Sequence, residues 1–176
     1  GHGGSNNGAL GCTGAKEKDV ALSIVKRLQA TLAREGARVV LTRTTDSNLT
    51  TIDRMKTIWT SEADILVSIH ANSVGLTTNP ADISGTSTYY KHVCFRPLSM
   101  CILQQIIETG LTSFGNVGGF NFSLNSPTEL PNALVETAFI SNPEDEMKLL
   151  DPEFQDDLAK HIAGGIEDFL ESCEED

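Results

Sequence analysis

Helical and strand patterns alternate along the chain, and this alternation limits the fold more strongly than any other sequence feature. Apolar residues recur every three to four positions from Val20 to Leu32, which predicts a helix that packs against a sheet and ends at Gly36. A segment rich in β-branched residues follows at 37–43 and predicts a strand. The alternation favours an α/β fold, which we expect to be a three-layer sandwich with helices on both faces of a mixed, mostly parallel sheet.

The later segments continue the alternation. The predicted elements are a second helix that buries Ile52, Met55, Ile58 and Trp59, strands at 65–69 and 85–90, and a helix that starts near Pro97. The last helix has the clearest start, with Asp151 as its N-cap and Pro152 in the first helical position. Because no internal repeat or linker interrupts the chain, and its length is that of a single domain, residues 1–176 are predicted to form one domain.

Two apolar runs each carry a titratable residue. His70 directly follows one run, and Glu136 interrupts another at 133–140. An ionised carboxylate in such a run costs several kcal/mol unless it is paired or lies near a metal. A salt bridge from Glu136 to Arg43 or Arg54 is its structural alternative, and a hydrogen-bonded core position is the alternative for His70.

A second pair of candidate residues lies near the start of the chain. His2 stands in a glycine-rich stretch, and Glu17 opens the first helix. Taken singly, they could be a solvated surface histidine and an acidic residue that complements a helix N-terminus. Together with His70 they form the usual ligand set of a catalytic zinc, two histidines and one carboxylate, while Glu136 could serve as general base. An open α/β sheet can gather such residues at one edge.

Four sequence blocks carry a resemblance to a known family. They are Gly1-His2-Gly3-Gly4, Glu17-Lys18-Asp19, Ser68-Ile69-His70-Ala71-Asn72, and Leu134-Val135-Glu136-Thr137-Ala138-Phe139-Ile140-Ser141-Asn142. In order and spacing, over nearly the whole chain, they resemble motifs of the zinc-dependent N-acetylmuramoyl-L-alanine amidases of bacterial cell-wall metabolism. The resemblance implies that His2, Glu17 and His70 bind one zinc ion and that Glu136 is the catalytic carboxylate.

The resemblance also implies a reaction and a setting. Such an enzyme cleaves the amide bond between N-acetylmuramic acid and L-alanine of peptidoglycan, outside the cytoplasm, and we expect a monomer. Some family members carry an inhibitory helix near the segment 73–84, which is short here, so an open site is expected. Two other functions stay open: a peptidoglycan- or partner-binding module with impaired turnover, and a zinc peptidase that acts on another amide.

The charge balance argues against anionic binding partners. The chain has 24 acidic and 13 basic residues, a net charge of −11, which disfavours binding to nucleic acid or to an anionic membrane. No stretch approaches the roughly 20 apolar residues of a membrane span, and the first residues do not have the pattern of a signal peptide.

The four cysteines, Cys12, Cys94, Cys101 and Cys173, lack the paired spacings of a structural zinc site. Cys94 and Cys101 are close enough in sequence for a disulfide in an exported protein, and free thiols are the other possibility. Cys12 lies between two candidate ligands, but the three-ligand set is complete without it.

Two features depart from the family pattern. Family members enter the Gly-His-Gly loop from a buried strand, so we expect that this first strand is missing from the chain and that the natural polypeptide continues upstream with it. Leu124-Asn125 stands where many relatives have Leu-Arg. Since asparagine cannot hold a carboxylate bidentately as arginine does, the preference for a particular stem peptide stays open.

Overall fold

The computed structural model describes residues 1–174. The helices are α1 (Glu17–Arg34), α2 (Thr51–Thr60), α3 (Arg96–Ile107), α4 (Pro143–Leu150) and α5 (Pro152–Glu174). The strands are β1 (Leu66–Asn72), β2 (Thr86–Tyr90), β3 (Ser113–Gly118) and β4 (Asn132–Phe139). Short 3₁₀ helices span Pro80–Asp82, Val93–Phe95 and Ser123–Asn125.

The four strands form one mixed sheet in the order β1-β4-β2-β3. β1 pairs with β4 and β2 pairs with β3 in parallel, whereas β2 and β4 are antiparallel. The sheet is therefore mostly parallel, and helices pack around it. This confirms the predicted α/β fold.

The hydrophobic core lies against one face of the sheet. Ile69 of β1 and Val135 of β4 pack there with apolar residues of α1, α3 and α5. Because side chains alternate along a strand, the neighbouring residues Ser68 and Leu134 point to the opposite face, where they line a cavity. One face of the sheet is therefore packed against the hydrophobic core, and the opposite face is open to the cavity.

The start of α5 agrees with its sequence signals. The Asp151 side chain accepts a hydrogen bond from the Glu153 amide at 3.0 Å, and the helix begins at Pro152. Leu158, Ile162 and Phe169 of this helix are buried. The predicted N-cap is therefore confirmed.

The predicted strand at 37–43 is wrong. These residues lie outside the strands of the described chain, and Val40 is 44% exposed. A strand is stable only when its backbone pairs with a neighbour, and β-branched residues alone do not provide one. The segment is held by side chains instead, since Arg38 donates to the Ser61 carbonyl at 2.6 Å.

The apolar stripe predicted for the second helix is also largely wrong. Ile58 is buried, but Ile52 is 66% exposed and Trp59 is 63% exposed. α2 is fixed by polar contacts rather than by a stripe packed on the core, because Arg54 donates hydrogen bonds to the His2 carbonyl and to the Thr42 hydroxyl.

Two adjacent glycines of α5 give a test of the packing between α3 and α5. A Cβ added at Gly165 would lie 2.5 Å from Ile102 Cα and 2.8 Å from Ile102 N, which are backbone atoms that cannot move alone. We expect Gly165→Ala to lower the free energy of unfolding by about 1–3 kcal/mol, although alanine is the better helix former. Urea denaturation measures this change.

Gly164→Ala is the matched control. Its Cβ would lie 3.4 Å from the Gln105 side-chain oxygen, which is the end of a flexible side chain. We expect the free energy of unfolding to stay constant or to rise by up to about 1 kcal/mol, the gain in helix propensity. Equal effects of the two substitutions would contradict the close contact between the helices.

Candidate metal centre

His2, Glu17 and His70 lie together on the cavity face. Glu17 Oε1 is 3.0 Å from His2 Nε2 and 2.8 Å from His70 Nδ1. One potential ligand atom from each residue lies within 4.8 Å of the others, and within residues 1–174 this is the one such cluster of His, Cys, Asp and Glu. The two imidazole rings are nearly perpendicular, with centroids 5.0 Å apart. Donor atoms of three separate segments therefore converge.

Each of the three residues is positioned by a different element. Glu17 is the first residue of α1, and His2 belongs to the opening loop. His70 lies within β1 rather than at its end, because the strand continues to Asn72. Gly8 passes close to the cluster with φ +68°, and a Cβ there would lie 2.4 Å from Glu17 Oε2. Only glycine permits this approach without strain.

Hydrogen bonds fix the orientation of His2 and Glu17. Asn6 Oδ1 lies 3.1 Å from His2 Nδ1 and also accepts a hydrogen bond from the Gly8 amide at 3.0 Å. Because an atom that accepts from an amide N–H is the oxygen, Nδ1 of His2 donates to Asn6, and Nε2 is the ring nitrogen that faces Glu17. Glu17 Oε2 accepts from the Ala9 amide at 2.8 Å.

Three cationic side chains hold the loop that carries His2. Lys18 Nζ donates to the Gly4 carbonyl at 2.7 Å, Arg43 donates to the Gly1 carbonyl at 3.0 Å, and Arg54 donates to the carbonyl of His2 itself. His2 has a positive φ of 52°, which is unusual for a residue with a side chain. The three carbonyl contacts stabilise this conformation. The sequence patterns did not indicate the role of these cations.

The protonation states suit metal binding. Burial opposes ionisation of Glu17, but hydrogen bonds from His2, His70 and the Ala9 amide outweigh it, so its pKa lies well below the usual range. Burial lowers the pKa of His70 to about 4, and the contact with Glu17 only partly offsets this effect. At neutral pH the cluster therefore offers an ionised carboxylate and a neutral imidazole, the forms that bind a metal.

Glu136 lies beside this cluster. It is the partner of His70 in the register of β1 and β4, so its side chain points to the same face. Its Oε2 atom is buried and has no hydrogen-bond partner. Burial and repulsion from Glu17 raise the pKa of Glu136 to about 8.

The salt-bridge alternative for Glu136 is contradicted. Among the described residues no ion pair connects Glu136 to Arg43 or Arg54, whose guanidinium groups bind backbone carbonyls instead. A buried polar atom without a protein partner needs an explanation, and for a carboxylate oxygen beside three potential metal ligands a bound group or a catalytic role provides one.

These residues form the base of a cavity of about 480 Å³. Thr51 and Arg54 line it on the side of α2, and Phe122, Ser123 and Leu124 line it on the other side. An open cavity above a three-ligand cluster and an unpaired carboxylate is the arrangement that a metal-assisted hydrolase requires.

The other histidines and the cysteines lie outside the cluster. His92 Nε2 is 3.3 Å from the Ser126 carbonyl, and His161 Nδ1 is 3.4 Å from Gln105 Oε1. Cys12 donates to the Ser141 carbonyl at 3.0 Å, which agrees with the expectation that it is not a ligand. All four cysteines are free in the described chain, so the structure favours thiols over a disulfide at Cys94 and Cys101.

Residues 1–168 match the profile of the N-acetylmuramoyl-L-alanine amidase family. The chain belongs to this family. The resemblance carried by the four sequence blocks is thereby confirmed. The roles of the individual site residues stay predictions.

Amidases and related bacterial proteins of similar sequence cover most of the chain. The YqiI protein of Bacillus subtilis (strain 168) is 34% identical over 175 residues, which cover 97% of this chain and 82% of that protein. The amidase AmiC of Escherichia coli O6:H1 is 28% identical over 97% of this chain, which spans 51% of AmiC. The chain therefore corresponds to about half the length of that amidase.

A solved amidase structure has the same fold. The N-acetylmuramoyl-L-alanine amidase AmiC2 of Nostoc punctiforme superposes with a TM-score of 0.90 at 34% identity, covering 97% of this chain and 93% of that one. None of the described helices combines the length and the apolar character that crossing a membrane requires.

Asn125 is not placed to contact a substrate of this amidase fold. Its side chain is fully buried, and Nδ2 donates to the Tyr89 carbonyl at 3.1 Å. Its neighbours Ser123 and Leu124 line the cavity instead. Of the Leu124-Asn125 pair, Leu124 therefore faces the cavity and Asn125 supports the loop.

Proposed function

We propose that this chain hydrolyses the amide bond between N-acetylmuramic acid and L-alanine, using one zinc ion held by His2, Glu17 and His70. Glu136 is the general base and then the general acid. The buried, unpartnered Oε2 of Glu136 beside the three converging ligands is the observation that carries this proposal. We further propose that residues 1–176 form a single, monomeric catalytic domain that acts outside the cytoplasm.

The donor set fits zinc better than a hard cation. Two imidazole nitrogens and one carboxylate oxygen are typical of catalytic zinc, whereas Ca²⁺ and Mg²⁺ prefer oxygen ligands throughout. When bound in such a site, zinc would lower the pKa of a water molecule towards neutrality and polarise a carbonyl group. At neutral pH Glu17 is already ionised and the His70 ring is already neutral, which are the charge states in which these groups bind a metal.

Glu136 transfers the proton in the proposed reaction. Its carboxylate, whose ionised form a bound cation nearby would favour, accepts a proton from the water that attacks the lactyl carbonyl carbon, and then donates it to the nitrogen of L-alanine as the C–N bond breaks. Because Oε2 has no protein partner, it is free to make both contacts. The products are a glycan with a free lactyl carboxylate and a stem peptide with a free L-alanine amino group.

Digestion of purified sacculi with the zinc-loaded protein separates this function from the two alternatives. An amidase releases stem peptides that begin with free L-alanine and leaves a glycan without peptides. A binding module associates with the sacculi but releases nothing. A zinc peptidase that acts on another amide releases fragments and leaves L-alanine attached to muramic acid. Mass spectrometry of the soluble and insoluble fractions distinguishes the three outcomes.

Asn6 gives a test of the ligand orientation. Asn6→Ala removes the acceptor of the His2 Nδ1 proton, and we expect the affinity for zinc to fall by about 10–100-fold, as for other groups that orient a ligand. Asn6→Asp keeps an acceptor oxygen and should restore most of the affinity. Competition with a chromophoric chelator measures both.

Asn7→Ala is the matched control for Asn6→Ala. The Asn7 side chain makes no hydrogen bond among the described residues, and only its carbonyl accepts one, from the Lys18 amide. The alanine variant should therefore bind zinc as the unmodified protein does. A loss of affinity in Asn7→Ala equal to that in Asn6→Ala would show that the loop, rather than the His2 contact, is responsible.

A further inference from the structure

Three aromatic side chains form a cluster at one end of the cavity. The rings of Phe120 and Phe122 are stacked, with centroids 5.4 Å apart and planes inclined by 18°. Tyr89 meets both rings edge-on at 5.2 and 5.5 Å. Tyr89 is buried, whereas Phe120 is 47% exposed and Phe122 lines the cavity. A buried tyrosine thus supports a stacked pair whose outer surface is open to a ligand.

The strand order places this aromatic cluster close to Glu136. Tyr89 of β2 is the register partner of Leu134 of β4, and Leu134 stands two residues before Glu136 on the same face. Both Leu134 and Glu136 line the cavity that reaches Phe122. The aromatic cluster is therefore the continuation of the reaction cavity on the β2 side.

Arg54 marks the opposite end of the same cavity. It belongs to α2 and donates to the carbonyl of His2. The nitrogen of the adjacent Gly1 donates to the carbonyl of Ile69 on β1, so Arg54 lies on the β1 side of the cavity. Since the strands follow the order β1-β4-β2, Glu136 on β4 lies between Arg54 and the aromatic cluster. Arg54 forms no ion pair with a described carboxylate.

The two ends of the cavity differ in charge. The cavity-lining residues beside the aromatic cluster, Ser123 and Leu124, are uncharged, whereas the α2 end presents a guanidinium group. The two sides of the scissile amide differ in the same way. The lactyl carboxyl group is part of the amide, so the muramic acid side is a neutral glycan, while the stem peptide carries carboxylates.

We propose that Phe120 and Phe122 form a subsite for the glycan strand, in which the apolar C–H face of a hexosamine ring lies on the aromatic pair and the stem peptide extends towards Arg54. This rests on the proposed amidase function and adds the direction in which the substrate lies. Rigid aromatic rings suit the flat face of a pyranose because they bury a large apolar surface. The carboxylates of a peptide would lose hydration against the same surface without gaining a partner.

Two soluble substrates with the same scissile amide test the subsite. One is a disaccharide of N-acetylglucosamine and N-acetylmuramic acid with its stem peptide, and the other is the same peptide acylated by lactate alone. We expect Phe120→Ala and Phe122→Ala to raise KM for the disaccharide substrate by about 5–10-fold. KM for the lactoyl peptide should stay within about 2-fold, because that substrate has no ring to stack.

Phe114→Ala is the matched control. Phe114 is 49% exposed, slightly more than Phe120, but it packs against Phe139 rather than against the stacked pair. It should leave both KM values unchanged. Equal increases of KM for the two substrates in the Phe120 and Phe122 variants, or no increase for either, would overturn the glycan subsite. Thermal melts verify that each variant is folded.

A binding measurement keeps the subsite separate from the proposed reaction. In the Glu136→Gln background, NMR titration with a neutral β-1,4-linked N-acetylglucosamine tetramer should shift the ring signals of Phe120 and Phe122, and Phe120→Ala should weaken binding by about 5–10-fold. Absence of binding, or unchanged binding in Phe120→Ala, would overturn the subsite. If the tetramer binds as expected but neither amide substrate is cleaved by the unmodified protein, the proposed function fails while the glycan subsite stands.

Discussion

Glu136→Gln lowers the turnover number on purified peptidoglycan by about 10²–10⁴-fold and leaves the zinc content unchanged, if Glu136 is the general base. Glutamine has nearly the same size and shape but no basic oxygen that can take up a proton at neutral pH. Oε2 of Glu136 makes no hydrogen bond in the protein, so the substitution breaks no structural contact of that atom. The loss should therefore appear in turnover rather than in folding.

Removal of the charge also favours folding rather than opposing it. Burial and repulsion from Glu17 raise the pKa of Glu136 to about 8, which means that the folded protein without metal disfavours the ionised form. A neutral amide avoids that cost. We therefore expect the melting temperature of the metal-free variant at neutral pH to be no lower than that of the unmodified protein.

Glu129→Gln is the matched control for this prediction. Glu129 is exposed, and its carboxylate accepts a hydrogen bond from the adjacent Thr128 amide. It should keep full activity. If Glu136→Gln keeps most of its activity, Glu136 is not the general base. If this variant loses zinc, Glu136 is a metal ligand instead. Metal analysis and peptide release, measured on the same preparation, separate these outcomes.

The candidate site could be predicted from sequence because its residues conflict with their local surroundings. His70 and Glu136 interrupt apolar strands, where a titratable side chain has no structural advantage. His2 and Glu17 have weaker local signals, and their position in ordered blocks indicated their role. The blocks alone do not reveal that Glu17 Oε1 meets both imidazoles, since that contact depends on how the loop is folded.

Helices and strands whose apolar residues have no periodic spacing could not be predicted from the sequence. β3 (Ser113–Gly118) contains two glycines and is defined by its pairing with β2 rather than by its own sequence. α4 was also missed, although Asn142 caps it by accepting from the amides of Glu144 and Asp145 and Pro143 occupies its first turn. A cap signal is local, but a helix of eight residues is too short to establish a periodic stripe.

The supporting cations show a second limit of sequence reasoning. Arg43 and Arg54 were considered as partners of Glu136 because opposite charges are expected to pair inside a protein. Both instead bind carbonyls of the loop that carries His2. Every residue has a backbone carbonyl, so a sequence pattern does not indicate which carbonyl a side chain will bind. A hydrogen bond from a side chain to a carbonyl far away in sequence can be recognised only in the folded chain.

His70→Ala should reduce zinc occupancy from about one ion per chain to a small fraction, and activity should fall with it. The imidazole supplies one of three ligands, and even residues that merely orient a ligand contribute about 10–100-fold to metal affinity, so loss of the ligand itself should exceed that range. The ring is partly exposed on the cavity face, opposite the packed core, so the fold should persist.

His161→Ala is the control that makes the loss of zinc specific. His161 lies on α5, where Nδ1 is 3.4 Å from Gln105 Oε1, outside the cluster of His2, Glu17 and His70. It should bind zinc in the same ratio as the unmodified protein after dialysis against a chelator of known affinity. A folded His70→Ala protein with full zinc occupancy would show that the ligand set is wrong, because a site that loses one of its three protein ligands cannot keep its affinity unless another residue takes that place.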